Sequence, residues 1–75
     1  MNEEIGAVAG AIWRILDANG EMTLPKLKKE VMAEGALFDW AIGWLAREDK
    51  IELMRDKRSI RIWLKGREQQ RATAA

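Results

Sequence analysis

Ile51-Glu52-Leu53-Met54-Arg55-Asp56-Lys57-Arg58-Ser59-Ile60-Arg61-Ile62-Trp63-Leu64 is the stretch on which the fold of this 75-residue chain turns. Ile51 and Leu53 alternate with Glu52 and Met54; Ile60, Ile62 and Leu64 alternate with Arg61, Trp63 and Lys65. A period of two sends successive side chains to opposite faces of a strand, so the spacing predicts two strands, each with an apolar side. Asp56-Lys57-Arg58 lies between them and reads as the turn of a hairpin. Two strands alone are not stable in water, so the apolar side of the hairpin must be covered by helices.

Upstream the period is 3.6. Asn2 is a good N-cap, and Glu3 and Glu4 fall in the first turn, where the helix dipole favours them. Ile5, Val8, Ala9, Ile12, Ile15 and Leu16 form one apolar stripe, and Asn19-Gly20 reads as the stop, which predicts a helix over 3–18. Glu21-Met22-Thr23 suits a brief strand, with Thr23 also placed to cap the next helix. Pro25 fits the first turn of a second helix over 24–33, whose buried face is Leu24, Leu27 and Val31, with an end near Gly35. Phe38, Ala41, Ile42 and Leu45 give the spacing of a third, over 37–48. Helix, short strand, helix, helix, hairpin is the order of an α+β winged helix-turn-helix: three helices plus a C-terminal two-stranded wing, with a short extra strand near 21–23. A three-helix bundle with a stray tail competes with it, and the alternation at both 51–54 and 60–64 argues against that bundle. The domain is expected over 1–65, with 66–75 a flexible, polar and Ala-rich tail.

The run Ala41-Ile42-Gly43-Trp44-Leu45-Ala46-Arg47-Glu48-Asp49-Lys50-Ile51 resembles the signature of a small prokaryotic winged helix-turn-helix family of unknown function. Members of that family share A-[IL]-G-W-L-A-R-E-x-K-I leading into a β-hairpin. The resemblance spans residues 3–65 and implies the fold; through the winged helix it also implies a nucleic-acid-binding expectation, and it supplies no activity. Residues 66–75 extend past the expected end of the family's domain. Winged helices often carry Gly where the third helix hands over to the first wing strand. Asp49 stands there, and Asp tolerates the left-handed backbone better than most residues.

Composition narrows the chemistry. There is no Cys and no His, which removes disulfides, a thiolate nucleophile, the commonest general base and the commonest transition-metal ligands. Ser59 is the only serine and has no histidine to activate it, while Glu3-Glu4 and Glu48-Asp49 are sequence neighbours whose side chains diverge on a helix. No phosphate loop or dinucleotide fingerprint occurs. The expectation is a non-enzymatic module with no cofactor and no metal. The start, Met-Asn-Glu-Glu, is acidic where a secretory signal is basic, and no apolar run approaches the roughly 20 residues of a spanning helix, so a cytoplasmic, non-membrane protein is expected.

The net charge of +1 is unevenly divided. Residues 1–50 hold six Lys/Arg against nine Asp/Glu, a net −3; residues 51–75 hold seven against three, a net +4. Arg55, Lys57, Arg58 and Arg61 on the hairpin are therefore candidates for contacting the phosphates of DNA or RNA, a contact that gives affinity without sequence readout. Trp63 shares the polar side of its strand with these charges. It is placed either to stack on an unpaired base or to pack against Trp13 or a dimer mate.

The outer side of helix 3 carries Asp39, Trp40, Gly43, Trp44 and Arg47, which poorly matches major-groove edges. Trp40 and Trp44 form a candidate patch for a protein partner, the alternative for Trp44 being packing inside the chain. Helix 1 has no charge from Ile5 to Trp13, and its outer residues Ala7, Gly10, Ala11 and Arg14 are a candidate homodimer contact. Two readings stand: a nucleic-acid-binding, transcription-regulator-like module using a basic wing, or a homodimerising protein-interaction module with no direct DNA readout.

Overall fold

A computed structural model of the chain describes residues 2–66; the tail expected over 66–75 therefore lies, beyond Gly66, outside the described residues. The elements are α1 (Asn2–Asn19), β1 (Met22–Thr23), α2 (Leu24–Val31), α3 (Leu37–Arg47), β2 (Ile51–Arg55) and β3 (Ile60–Leu64). This is the expected winged helix-turn-helix order.

Each helix stops for a local reason. Gly20 takes φ +77°, open to a residue without Cβ, and its N–H donates to the Leu16 carbonyl at 2.7 Å. At α3 the N–H of Asp49 donates to Ala46 O at 3.1 Å and that of Lys50 to Leu45 O at 2.9 Å, the two bonds of a Schellman ending. Asp49 holds φ +61°, the left-handed residue the sequence places there. The second helix is two residues shorter than its apolar spacing suggests, because Met32 adopts φ +56° and donates to Lys28 O at 3.1 Å. Thr23 has the extended backbone of an N-cap, yet its side chain makes no capping bond, so the cap expected of it is not formed. Asn2 lies inside α1 rather than ahead of it.

The wing is part of a three-stranded antiparallel sheet, because β1 joins it: the order is β1-β3-β2. Register pairs Ile51 with Leu64, Leu53 with Ile62 and Met22 with Ile62, and these side chains share the face that meets the helices. The core joins Ile12 and Leu16 of α1, Leu27 of α2, Phe38 and Leu45 of α3, and Met22, Ile51, Ile62 and Leu64 of the sheet. Burial of each such side chain contributes about 1.5–3 kcal/mol. Leu53 sits on this same face but is 40% exposed, since β2 runs outward past the helices toward the turn.

Candidate nucleic-acid interface

The outer face of the sheet is set by the same alternation. Arg61 and Trp63 project from the central strand β3, with Lys65 just beyond its end, Glu52 and Met54 from β2, and Thr23 from β1. Two cations here are each held by two carboxylates. Arg61 donates from Nη1 to Glu21 Oε2 at 3.1 Å and from Nε to Asp56 Oδ2 at 3.5 Å. Lys65 Nζ lies 2.6 Å from Glu52 Oε2 and 3.2 Å from Asp49 Oδ1. The hydrogen bond to Glu52, then that to Asp49, raises the pKa of Lys65 above the ordinary lysine value. These ties fasten both ends of β3 to neighbouring segments and neutralise its charge.

Arg55, Lys57 and Arg58 are different. All three are exposed, and among the described residues no ion pair joins them to a carboxylate. The turn that carries them is held by its own atoms: the Asp56 N–H donates to Ser59 O at 2.7 Å, and Asp56 Oδ1 accepts the Lys57 N–H at 2.7 Å. The sequence groups Arg61 with these three cations; the structure separates it, leaving the unneutralised positive charge of the hairpin at its turn. A groove of about 350 Å³ runs between this turn and the start of α2, with Leu24, Pro25 and Ile60 as its apolar part and Arg55, Lys57 and Arg58 as its basic part.

Trp63 cannot take the stacking role that its position in the sequence offers. It is 6% exposed, covered within its own chain, and so presents no face to a base. Trp40 and Trp44 are each 47% exposed and Trp13 40%, so these three remain at the surface. On α1, Ala7 and Arg14 are exposed, while Gly10 and Ala11 are half-buried; Arg14 folds back so that its Nη1 lies 3.5 Å from where a Cβ on Gly10 would stand.

The description of a winged helix-turn-helix domain (DUF2582) matches residues 1–64. The chain belongs to that family. This winged helix-turn-helix domain is 42% identical over 65 residues to an uncharacterised protein of Methanocaldococcus jannaschii, an alignment covering 83% of this chain and 91% of the relative. It also superimposes on a protein of Bacteroides thetaiotaomicron solved by solution NMR, with a TM-score of 0.75 and 32% identity, covering 91% of this chain and 84% of that one.

Local spacing does not reveal Glu21 and Asp56 as partners of Arg61, or Leu24 and Pro25 as neighbours of the wing turn. One signal for the first was available. A strand at 21–23 pairing with 60–64 would set Glu21 beside the outward residues of β3, but nothing in the sequence says that β1 pairs with β3.

Proposed function

We propose that the domain is a non-enzymatic, cytoplasmic nucleic-acid-binding module of the transcription-regulator type that contacts phosphates through the turn of its wing. One observation carries the reading: Arg55, Lys57 and Arg58 are exposed and free of carboxylate partners among the described residues, while the other two wing cations, Arg61 and Lys65, are each neutralised. Arginine meets a phosphate with a planar fork of donors, and such contacts release counterions, so affinity falls with salt. The family supports the reading by analogy of fold. Arg61 then acts as a positioning residue that holds the turn.

The outer face of α3 offers little for base readout: Trp40, Gly43 and Trp44, with Asp39 and Arg47 as its charges. The proposed binding is therefore weakly sequence-selective. With three phosphate contacts, log K against log salt falls with a slope of about −2.7 on duplex DNA. Replacing Arg55, Lys57 and Arg58 by Ala flattens it. No binding to mixed single-stranded or duplex DNA at low salt removes the reading.

A second reading, homodimerisation through α1 and α3, is favoured by Trp40 and Trp44, one helical turn apart and each 47% exposed. Sedimentation across a concentration series tests it. A dimer that Trp44→Ser or Ala7→Glu dissociates supports it, and a monomer at every concentration refutes it. Both positions are exposed, so neither substitution disturbs the core.

A further inference from the structure

We propose that the groove between α2 and the wing turn holds one unpaired nucleotide of a single-stranded nucleic acid, its base against Leu24, Pro25 and Ile60 and its phosphate against Arg55, Lys57 and Arg58. This rests on the nucleic-acid reading above and adds to it the class of strand. The groove is about 350 Å³, at the small end of the roughly 300–1,000 Å³ typical of ligand sites. That volume accommodates a single nucleotide.

Its two parts match the two parts of a nucleotide. Leu24 and Ile60 are half-buried and Pro25 is exposed, which makes an apolar surface open to a flat ring. Arg55, Lys57 and Arg58 are exposed and line the same groove, and they are the wing cations that no carboxylate neutralises among the described residues. Asp56, the one acid in the lining, has its oxygens turned to the Lys57 N–H at 2.7 Å and Arg61 Nε at 3.5 Å, so it opposes an incoming anion less than a free carboxylate would. Guanidinium groups serve both halves, binding phosphate through their edge and stacking on bases through their face. A duplex keeps its bases stacked inside and could present only its backbone. The outer face of α3 points the same way, since Trp40 and Trp44 fill the place where a major-groove reader carries hydrogen-bonding side chains.

The test is the affinity of the full chain for a short labelled oligonucleotide of mixed sequence, single-stranded and as duplex, at fixed salt. It is repeated with Pro25→Glu and with Ala46→Glu. The first puts a carboxylate into the groove at the start of α2, where the helix dipole accommodates it; the second makes the same charge change at an exposed site on α3. Thermal unfolding of both variants verifies the fold. The single strand is expected to bind about tenfold more tightly than the duplex, and Pro25→Glu to weaken it about tenfold while Ala46→Glu changes it less than about twofold. Duplex binding as tight as single-strand binding overturns the groove proposal and leaves the phosphate reading standing, as do equal effects of the two variants. An acidic peptide such as poly-glutamate that outcompetes the oligonucleotide overturns both, and so does the absence of any binding.

Discussion

Asp49 serves two ends with one residue. Its backbone sits at φ +61°, where a glycine would be relaxed, and its carboxylate lies 3.2 Å from Lys65 Nζ. The left-handed backbone costs an L-residue about 1–2 kcal/mol, less for Asp, and the ion pair, screened by solvent, offsets only part of that strain. Asp49→Gly is therefore expected to leave stability within about 1 kcal/mol of the starting protein, whereas Asp49→Ala keeps the strain, loses the pair and is the more destabilising of the two. Urea denaturation of both variants checks the order. Lys65 gives a pH prediction. Its pKa is raised on folding, chiefly by Glu52 and then Asp49, so its contribution is complete below the ordinary lysine value and is lost as pH rises through the folded value. Stability is expected to be insensitive to this group through neutral pH and to decline above about pH 10, and Lys65→Met is expected to shrink that alkaline decline. The urea midpoint followed from about pH 8 to pH 11 tests it.

At the scale of the element, the hairpin separates the cations that hold it from those it presents. Arg58 is exposed at the turn, whereas Arg61, three residues on, bridges the residue before β1 to the turn through Glu21 and Asp56. At the proposed interface, Arg58→Ala is expected to lower the magnitude of the salt slope by about 0.9 and to leave stability almost unchanged. Arg61→Ala is expected to do the reverse. The slope stays, stability drops by about 1 kcal/mol or less because both pairs are half-exposed, and amides near the turn exchange faster. Equal slopes for the two variants would mean that the sorting of cations has no bearing on binding.

The elements themselves were legible in the sequence to within a residue or two. The stripe from Ile5 to Leu16, the Phe38-Ala41-Ile42-Leu45 face and the two alternating runs are all periodicities that only one secondary structure can bury. The roles of Arg61 and Trp63 were not legible. Arg61 finds Glu21 forty residues away through the pairing of β1 with β3, and Trp63 is covered although its alternation places it on the polar side. Neither contact leaves a trace in local spacing.

For the whole molecule, one core lies beneath the three helices and the sheet. Phe38 of α3, Ile12 of α1, Leu27 of α2 and Ile62 of β3 are all at most 1% exposed, and together they join the three helices to the sheet. A chain this short has a small stability margin, about 5 kcal/mol being typical at the low end. Phe38→Ala is expected to cost about 3–5 kcal/mol and so to leave the domain largely unfolded at 37 °C, read as loss of the thermal transition. Ile62→Val, which removes one methylene, is expected to cost about 0.5–1.5 kcal/mol and to preserve both fold and binding.

Local spacing alone specified three helices, the stops at Gly20 and Asp49, the hairpin and the family signature, because each is written in residues close together along the chain. Long-range pairing and packing settle which wing cations carboxylates hold, that Trp63 is covered while Trp40 and Trp44 stay at the surface, and that a groove lies between the wing turn and the start of α2. Those outcomes depend on how segments far apart in the chain pair and pack, and spacing along a chain carries no record of that.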